Sequence, residues 1–320
     1  MKNHTHILEW ATHCLRSKGC FLQHAPEIVL ETPWSNVIRF STSKGRVYLK
    51  QPAPSIAQEA NITQLLAEQF HASVPMVIAS NDELHCFLMS DAGQSLREYL
   101  KTAWQPDLLC QAIRQFTAMQ RSVESNIESL LALGVPDWRL DKLPQLYEQM
   151  ISQGEFLKTE GMTNKELQTL RDLSPQIAEE IESLSQYQLP ETIVQSDFHT
   201  NNILIQSHTQ KLTFIDLGEV VITHPFFSLH TFLRQAIIHH GVAEGEQTYH
   251  QLQDTCLEHW LDLTAKKSLL EGFMLAKKLW PIYSALVYYR IFYCVDQQFF
   301  KSFYANKPNR LAGFFREYMG

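Results

Sequence analysis

The chain has 320 residues, of which 45% are hydrophobic and 19% are charged, and its formal net charge is −7. This length and composition are typical of a globular protein with a sizeable core, and they exclude an intrinsically disordered chain. An acidic chain gives no reason to expect DNA or RNA as a partner.

Cysteine usage and hydropathy predict where the protein resides. The six cysteines form no CxxC pair and no regular framework, which indicates reduced thiols in an intracellular protein. The segment MKNHTHILEW lacks a basic region followed by an apolar core, so no signal peptide is predicted. The most apolar segment, which starts at Trp280, contains Pro281 and Arg290 and is too short to cross a bilayer. We therefore expect a cytoplasmic protein with no membrane partner.

The first ninety residues predict a small sheet. Gly45 in the turn SKG predicts a hairpin, because glycine adopts the unusual turn dihedrals. Ser55 and Gln58 predict a capping box at the start of a helix. The predicted order is helix, three strands, helix and two strands, over residues 6–18, 27–32, 36–43, 46–51, 54–70, 74–80 and 84–90.

The remainder is predicted to be mostly helical, with one island of short strands around TIVQS, NILIQS and KLTFID. Helices are expected at about 96–132, 140–153 and 164–187, followed by long helical segments from 225 to 303. This order predicts an α+β protein with two lobes, an antiparallel-sheet lobe over 1–90 and a helical lobe over 91–320.

Two apolar runs in the strand island end in aspartates, within ETIVQSDFHTNNILI and KLTFIDLGEV. Asp197 begins a loop that returns to a strand at Ile203, and the following hairpin should bring Asp216 close to Asn202. Carboxylate and amide oxygens suit Mg²⁺, which also accepts phosphate oxygens. Aspartate, then asparagine five residues later, then an aspartate opening DLG is the order used in phosphoryl transfer of the protein-kinase type.

These motifs resemble the aminoglycoside phosphotransferase/choline kinase family, small-molecule kinases with a protein-kinase-like fold. SDFHTNNIL is similar to the family's H-G-D-x-H-x-x-N-I-L loop, and FIDLGEVVITHPFFSL to its I-D-x-x-x-x-x-x-x-D-P-x-x-D-L segment. The resemblance implies ATP and Mg²⁺ as cofactors. It also implies that Asp197 is the catalytic base and that Asn202 and Asp216 hold the metal.

The resemblance extends to the first lobe. Lys50 matches the lysine that grips nucleotide phosphates, and Glu59 matches its ion-pair partner. The connector FLMSDAGQSLREYL resembles the hinge between lobes, so adenine is expected against the backbone of Met89, Ser90 and Asp91.

The remaining nucleotide contacts are less determined. Ser35 and Asn36, in the covering loop TPWSNVI, could offer backbone N–H groups to phosphates in place of the glycines that this loop lacks. His199 could touch the terminal phosphate or only brace its own loop.

Three departures from the family pattern stand out. The usual histidine two residues before the catalytic aspartate is Gln195, and the usual glycine is Ser196. The D-P-x-x-D segment becomes His224-Pro225-Phe226-Phe227-Ser228 and loses both acids. The covering loop has no glycine. Glutamine can still hydrogen-bond, so a supporting role at position 195 is expected to persist.

Two features bear on the phosphate acceptor. Residues 101–190 hold 13 acidic against 8 basic residues, which would suit a cationic substrate, whereas residues 217–320 hold 9 against 10. The aromatic residues of the C-terminal third are interpreted as core, with a minority lining a pocket. Trp138 and Arg139, in a turn between helices, are expected to face the cleft.

The leading hypothesis is an ATP-dependent kinase that phosphorylates a hydroxyl of a small molecule: an aminoglycoside-like antibiotic, an amino alcohol, an amino acid or a sugar. One alternative is a pseudokinase that binds nucleotide without catalysis. Another is a metal-dependent hydrolase built on Asp197, His199 and Asp216, which would leave Lys50 and Glu59 unexplained. The sequence does not predict the oligomeric state.

Overall fold

The computed structural model describes residues 5–320, so the first four residues of the predicted first lobe lie outside the described residues. The N-terminal part contains an antiparallel five-stranded sheet in the order β1-β2-β3-β5-β4. Its elements are α1 Thr5–Ser17, β1 Glu27–Glu31, β2 Ser35–Thr42, β3 Gly45–Pro52, α2 Glu59–Phe70, β4 Val77–Asn81 and β5 Cys86–Ser90.

Local sequence explains most of this sheet. Thr42 pairs with Gly45 across the β2–β3 hairpin, and Gly45 has a φ of 110°, so the predicted turn is confirmed. The predicted capping box is wrong. Residues Pro54–Ile56 form a turn of 3₁₀ helix, and α2 starts only at Glu59, with no side-chain hydrogen bond at its N-cap Gln58.

Glycine fixes the path between the two parts of the chain. After β5, the connector passes so close to a later strand that a Cβ on Gly93 would lie 2.1 Å from the carbonyl oxygen of Ile205. Gly93 also has a φ of +109°, a backbone conformation that residues with a Cβ rarely adopt. The connector is therefore anchored against the second part of the chain. The boundary at residue 90 stays a prediction.

The rest of the chain is mainly helical. Pro106 separates two helices that the sequence predicted as one, because proline favours the first helical turn and lacks the N–H that a helix interior needs. The helices are α3 Leu96–Thr102, α4 Pro106–Val123, α5 Ile127–Ala132, α6 Leu143–Ser152, α7 Gly154–Thr159, α8 Asn164–Asp172, α9 Ser174–Ser185, α10 Phe226–His240, α11 Gln247–Leu257, α12 Lys266–Cys294, α13 Gln297–Phe303 and α14 Arg310–Met319. The sequence analysis missed α14, which packs on α12.

Short strands interrupt the helices at the predicted island. They are β6 Gln94–Ser95, β7 Thr192–Val194, β8 Ile203–Gln206, β9 Lys211–Phe214 and β10 Val221–Thr223. In the β8–β9 hairpin Ile203 pairs with Phe214, and the N–H of Ile215 donates to the carbonyl of Asn202 at 3.0 Å. The predicted proximity of Asn202 to Asp216 is thereby confirmed at the level of the backbone.

The predicted α+β, two-lobe architecture is confirmed, with a sheet-rich first part and a helical second part. Over residues 5–320 no helix combines the length and apolar composition that a membrane span requires.

The expectation for Trp138 is wrong. Its side chain is 7% exposed and packs edge-on against Tyr283 with ring centroids 6.1 Å apart, while Arg139 pairs with Asp137 at 2.7 Å.

Candidate active site

Packing of a phenylalanine positions the loop between β7 and β8. Phe198 is fully buried, and its ring lies 3.9 Å from that of Phe116 on α4 and 4.8 Å from that of Phe232 on α10. The preceding side chain, Asp197, therefore points away from this core, and it is 57% exposed. A buried apolar anchor next to an exposed carboxylate fixes the loop and leaves the acid accessible.

One oxygen of Asp197 is held and the other is available. Oδ2 lies 3.1 Å from Nε2 of His199 and accepts a hydrogen bond of 3.2 Å from the Asn202 amide. Within residues 5–320, Oδ1 has no hydrogen-bond partner. Desolvation opposes ionisation of this group, but the contacts from His199 and Asn202 and the charge of Arg310 outweigh it and hold the pKa of Asp197 below its ordinary value. The carboxylate is therefore ionised at neutral pH.

His199 braces the loop, the second of the two roles that the sequence left open. Its Nδ1 accepts the N–H of Asn201 at 3.2 Å while its Nε2 faces Asp197, so both ring nitrogens are used inside the loop. The ring is 8% exposed. A phosphate contact by His199 therefore has no support in this arrangement.

A buried ion network joins the two lobes. Lys50 Nζ on β3 lies 2.7 and 2.8 Å from the two carboxylate oxygens of Glu59 on α2, and 2.5 Å from Oδ1 of Asp216. Lys50 and Glu59 are 5% and 3% exposed. Burial alone would lower the pKa of Lys50, but the two carboxylates reverse this and raise it, so the ammonium stays charged.

The backbone after β9 is shaped to maintain this network. Asp216 has a φ of 65°, a conformation that costs a non-glycine residue about 1–3 kcal/mol and that is concentrated at functional sites. The N–H of Leu217 donates to Glu59 at 3.1 Å. A Cβ on Gly218 would lie 3.0 Å from Glu59 Oε2, so a larger residue here would press on the Glu59 carboxylate.

Two residues that depart from the family pattern contact each other. The Gln195 amide donates to the carbonyls of Ile215 and Asp216 at 2.8 and 3.0 Å and so fixes the backbone beside the Asp216 carboxylate. Ser228 in turn accepts the N–H of Gln195 at 2.9 Å and donates to its carbonyl at 3.0 Å. The predicted supporting role of glutamine is thus consistent with the structure.

His224 is fully enclosed, and burial lowers its pKa to about 3, so it is a neutral core residue.

The remaining predicted nucleotide residues lie at the edge of the cleft. The N–H of Ser35 donates to the Thr32 hydroxyl at 3.0 Å within the β1–β2 turn, so it is not free for a phosphate and that prediction is wrong. Asn36 follows it in β2 and donates through its side chain to Gln51 at 3.4 Å. The segment Met89–Asp91 leads out of β5, as expected for a hinge.

A cavity of about 700 Å³ opens beside Asp197. Most of its wall comes from α10, α12, α13 and α14, and Trp34 of the β1–β2 turn closes one side. Sequence reasoning missed these residues as a group, because they are dispersed along the chain and share no motif. The lining relevant here is Trp34, Ser196, Asp197, Glu219, Arg234, Trp280, Tyr283, Tyr288, Phe303, Tyr304, Lys307, Arg310 and Glu317.

The aromatic residues of the C-terminal third fall into three groups: core, pocket and, for Tyr293, which is 49% exposed, surface. Trp260 and Phe292 are buried in the core at 0% and 3% exposure. Trp280, Tyr283 and Tyr288 also line the cavity. The aromatic segment therefore supplies both the packing of α12 and the apolar wall beside Asp197.

The residues predicted to hold magnesium are placed together but are not a preformed cage. The described residues contain no cluster of three His, Cys, Asp or Glu side chains suited to a metal. The Asn202 amide nitrogen donates to the carbonyl oxygen of Asp197 at 3.0 Å, which orients the amide and leaves its oxygen as the donor atom for a cation. A sparse set of hard oxygens is the arrangement expected for a magnesium site completed by phosphate and water.

Comparison with known families agrees with this geometry. Residues 28–259 match the model of the phosphotransferase enzyme family, APH. The chain belongs to this family. Curated proteins give no match by sequence.

Several solved structures share the fold. The gentamicin complex of APH(2″)-IIa aligns with a TM-score of 0.63 at 14% identity, covering 100% of this chain and 99% of that one. Plasmodium vivax ethanolamine kinase aligns at 0.60 and 11%, covering 92% and 81%. The streptomycin–ATP–APH(2″)-IIa ternary complex aligns at 0.54 and 13%, covering 97% and 99%. At identities this low, the structural matches establish the kinase-like fold and leave the acceptor open.

Proposed function

We propose that this protein is an ATP-dependent kinase that transfers the γ-phosphoryl group to a hydroxyl of a small molecule. One observation supports this most directly: Lys50, Glu59 and Asp216 form one ion network at the end of the hairpin that also carries Asn202, next to the accessible carboxylate of Asp197. This arrangement assembles the phosphate-binding and base groups of phosphoryl transfer from both lobes. The ATP-bound neighbour supports the nucleotide part of the proposal.

The reaction assigns separate work to each group. The acceptor hydroxyl occupies the cavity with its oxygen near Oδ1 of Asp197. That oxygen forms a bond to the γ-phosphorus while the bond from the γ-phosphorus to the β,γ-bridging oxygen breaks, and ADP leaves with the electron pair. The hydroxyl proton passes to Asp197. Lys50, oriented by Glu59, offsets negative charge on the phosphates.

The residues fit a magnesium ion, which Asn202 and Asp216 would hold through oxygen atoms. When bound, Mg²⁺ neutralises charge on the nucleotide phosphates and the leaving group. This chain contributes the fixed donors: Gln195 holds the Asp216 backbone, and the β8–β9 hairpin holds Asn202 beside it.

Adenine is proposed to lie against the backbone of Met89–Asp91, with Asn36 above the phosphates. This places the nucleotide between β5 and the β1–β2 turn. Ser90 contributes to the shape of this edge, since its N–H and side chain both bond to Met76.

The test has two stages. Thermal-shift titrations with ATP, with and without Mg²⁺, measure nucleotide binding, and ADP release is then measured over a panel of small hydroxyl compounds. Wild type should be stabilised by Mg·ATP, and at least one compound should raise ADP release. Lys50→Ala should lose most of the stabilisation, while Lys44→Ala, in the exposed β2–β3 turn, should keep it.

The alternatives give different results in the same assays. A pseudokinase would be stabilised by nucleotide but would release no ADP with any compound. A metal-dependent hydrolase would not respond to ATP, and Lys50→Ala would not change it. Unchanged ATP affinity and turnover in Lys50→Ala would remove that residue from the site.

A further inference from the structure

The charges that line the cavity bear on the nature of the acceptor, an inference that rests on the proposed kinase function. No residue of the acidic segment 101–190 lines the cavity, although the whole of that segment is described. The excess of carboxylates that the sequence shows in this segment therefore lies elsewhere on the molecule. It offers no binding energy to a cationic acceptor beside Asp197.

The carboxylates that do line the cavity are engaged or belong to the metal side. Glu317 accepts from Arg234 at 2.6 Å, so this pair is neutral as a unit. Asp197 is the proposed base. Glu219 lies within electrostatic reach of Asp216, Asp197 and Lys50, on the side proposed for the metal and the phosphates. A polycation would need several unpaired carboxylates, and the cavity lining offers only Asp197 and Glu219.

Two cations that line the cavity are unpaired. Lys307 lies in the connection between α13 and α14, Arg310 is the first residue of α14, and neither forms an ion pair with a carboxylate anywhere in residues 5–320. The guanidinium of Arg310 lies 4.5 Å from the centre of the Tyr304 ring. An arginine held over an aromatic ring is pre-organised, and it keeps N–H donors for a bidentate contact with a carboxylate or phosphate.

Aromatic side chains form part of the cavity wall. Trp34 packs edge-on against Phe303 with ring centroids 5.1 Å apart and is stacked with Tyr304 at 6.2 Å. Trp280 and Tyr283 continue the wall on α12. Such a surface binds a hydrophobic or aromatic body through buried area and adds no preference for a multiply charged sugar.

We propose that the phosphate acceptor is a hydroxyl compound with an apolar or aromatic body and one anionic group, a carboxylate or a phosphate, which Arg310 and Lys307 bind. The hydroxyl then reaches Asp197 from the far end of the same molecule. Polycationic aminoglycosides are not the acceptors of this chain.

Probes built on one scaffold and differing in charge test the proposal. The para-substituted compounds hydroxymethylbenzoate, hydroxymethylbenzylamine and benzenedimethanol each carry a hydroxymethyl group on a benzene ring, and the group opposite it is a carboxylate, an aminomethyl cation or a second, neutral hydroxymethyl group. Their affinities, with kanamycin as the polycation, are measured by calorimetry on the full chain with Mg²⁺ and a non-hydrolysable ATP analogue. The carboxylate should bind about tenfold or more tightly than the amine, since a charge-assisted contact is gained.

Substitutions locate the effect. Arg310→Gln and Lys307→Gln should each weaken binding of the carboxylate by about tenfold and leave the affinity for benzenedimethanol unchanged. The matched controls are Arg316→Gln on the same helix and Lys301→Gln on α13, neither of which lines the cavity. Both controls should bind the carboxylate like wild type. Melting temperatures confirm that each variant is folded.

Several results would overturn the proposal. These are tighter binding of the amine or of kanamycin than of the carboxylate, no measurable binding of the carboxylate, or an equal loss in the controls. Failure of the kinase function is separable, because binding is measured without turnover. Carboxylate binding that depends on Arg310, with no ADP release from any compound, would uphold the anion site and refute the kinase.

Discussion

Asp197→Asn separates catalysis from folding at this site. Both contacts that the carboxylate makes with side chains end on Oδ2, from His199 at 3.1 Å and from Asn202 at 3.2 Å. An asparagine can place its single oxygen in the Oδ2 position and keep both contacts. Its amide nitrogen then occupies the position of Oδ1, the atom proposed to accept the proton. The variant therefore loses basicity at the atom that matters and little else.

The expected magnitudes differ greatly for rate and stability. A positioned base contributes about 10²–10⁴-fold, so kcat should fall by that factor. Because the side chain is 57% exposed, the free energy of unfolding should change by less than about 1 kcal/mol. Affinity for Mg·ATP should be unchanged, since Asp197 is not assigned to the metal or the phosphates.

The pH dependence gives a further check. The pKa of Asp197 lies below its ordinary value of about 4, so the carboxylate is ionised at every pH above this value. The enzyme should lose activity through this group only as the pH falls through the lowered pKa. Wild-type kcat should show no fall due to this group between about pH 8 and pH 5. A fall in kcat centred near neutrality would point to a different base.

The assay is ADP release with an accepted hydroxyl compound, alongside Mg·ATP affinity and thermal denaturation. Asp82→Asn, in the exposed turn between β4 and β5, is the matched control and should behave as wild type. Normal turnover in Asp197→Asn would refute the base assignment. An unfolded variant would show instead that Asp197 is a structural cap of its loop.

Three further predictions follow from the ion network and the β1–β2 turn. Asp216→Asn replaces a charged ligand with a neutral one and should sharply raise the Mg²⁺ concentration for half-maximal activity; full activity in chelator would refute the metal assignment. Glu59→Gln leaves Lys50 buried with one carboxylate and should lower the free energy of unfolding, measured in urea, by about 3 kcal/mol. A loss below about 1 kcal/mol would show that Asp216 alone is enough to stabilise the buried ammonium. Trp34→Ala removes the contact with Phe303 and should raise the acceptor KM more than it lowers kcat; an unchanged KM would place the acceptor elsewhere.

The local part of the site was predictable from sequence because it is built from neighbours along the chain. Asn202 and Asp216 come together through one tight hairpin, whose register follows from the length of the turn. The alternation of buried and more exposed residues along β2 and β3, with Gly45 at the turn, likewise determines the β2–β3 hairpin. Where the local pattern was ambiguous it misled: Ser55 and Gln58 matched a capping box, but the chain forms a 3₁₀ turn there and α2 begins at Glu59, whose carboxylate binds Lys50.

Sequence by itself determined most of the order of elements, the α+β class and the groups to which the chemistry is assigned, since propensity, periodicity and short turns are local properties. Only the tertiary structure decided which of these groups meet. Lys50 and Asp216 are 166 positions apart, and Trp34, Tyr304 and Arg310 form one wall although nothing in their spacing links them. The packing of α12 against α14 and the approach of the covering turn create the cavity and set its charge. Such contacts depend on how buried faces fit together, and periodicity shows that a face is buried without showing what it will pack against.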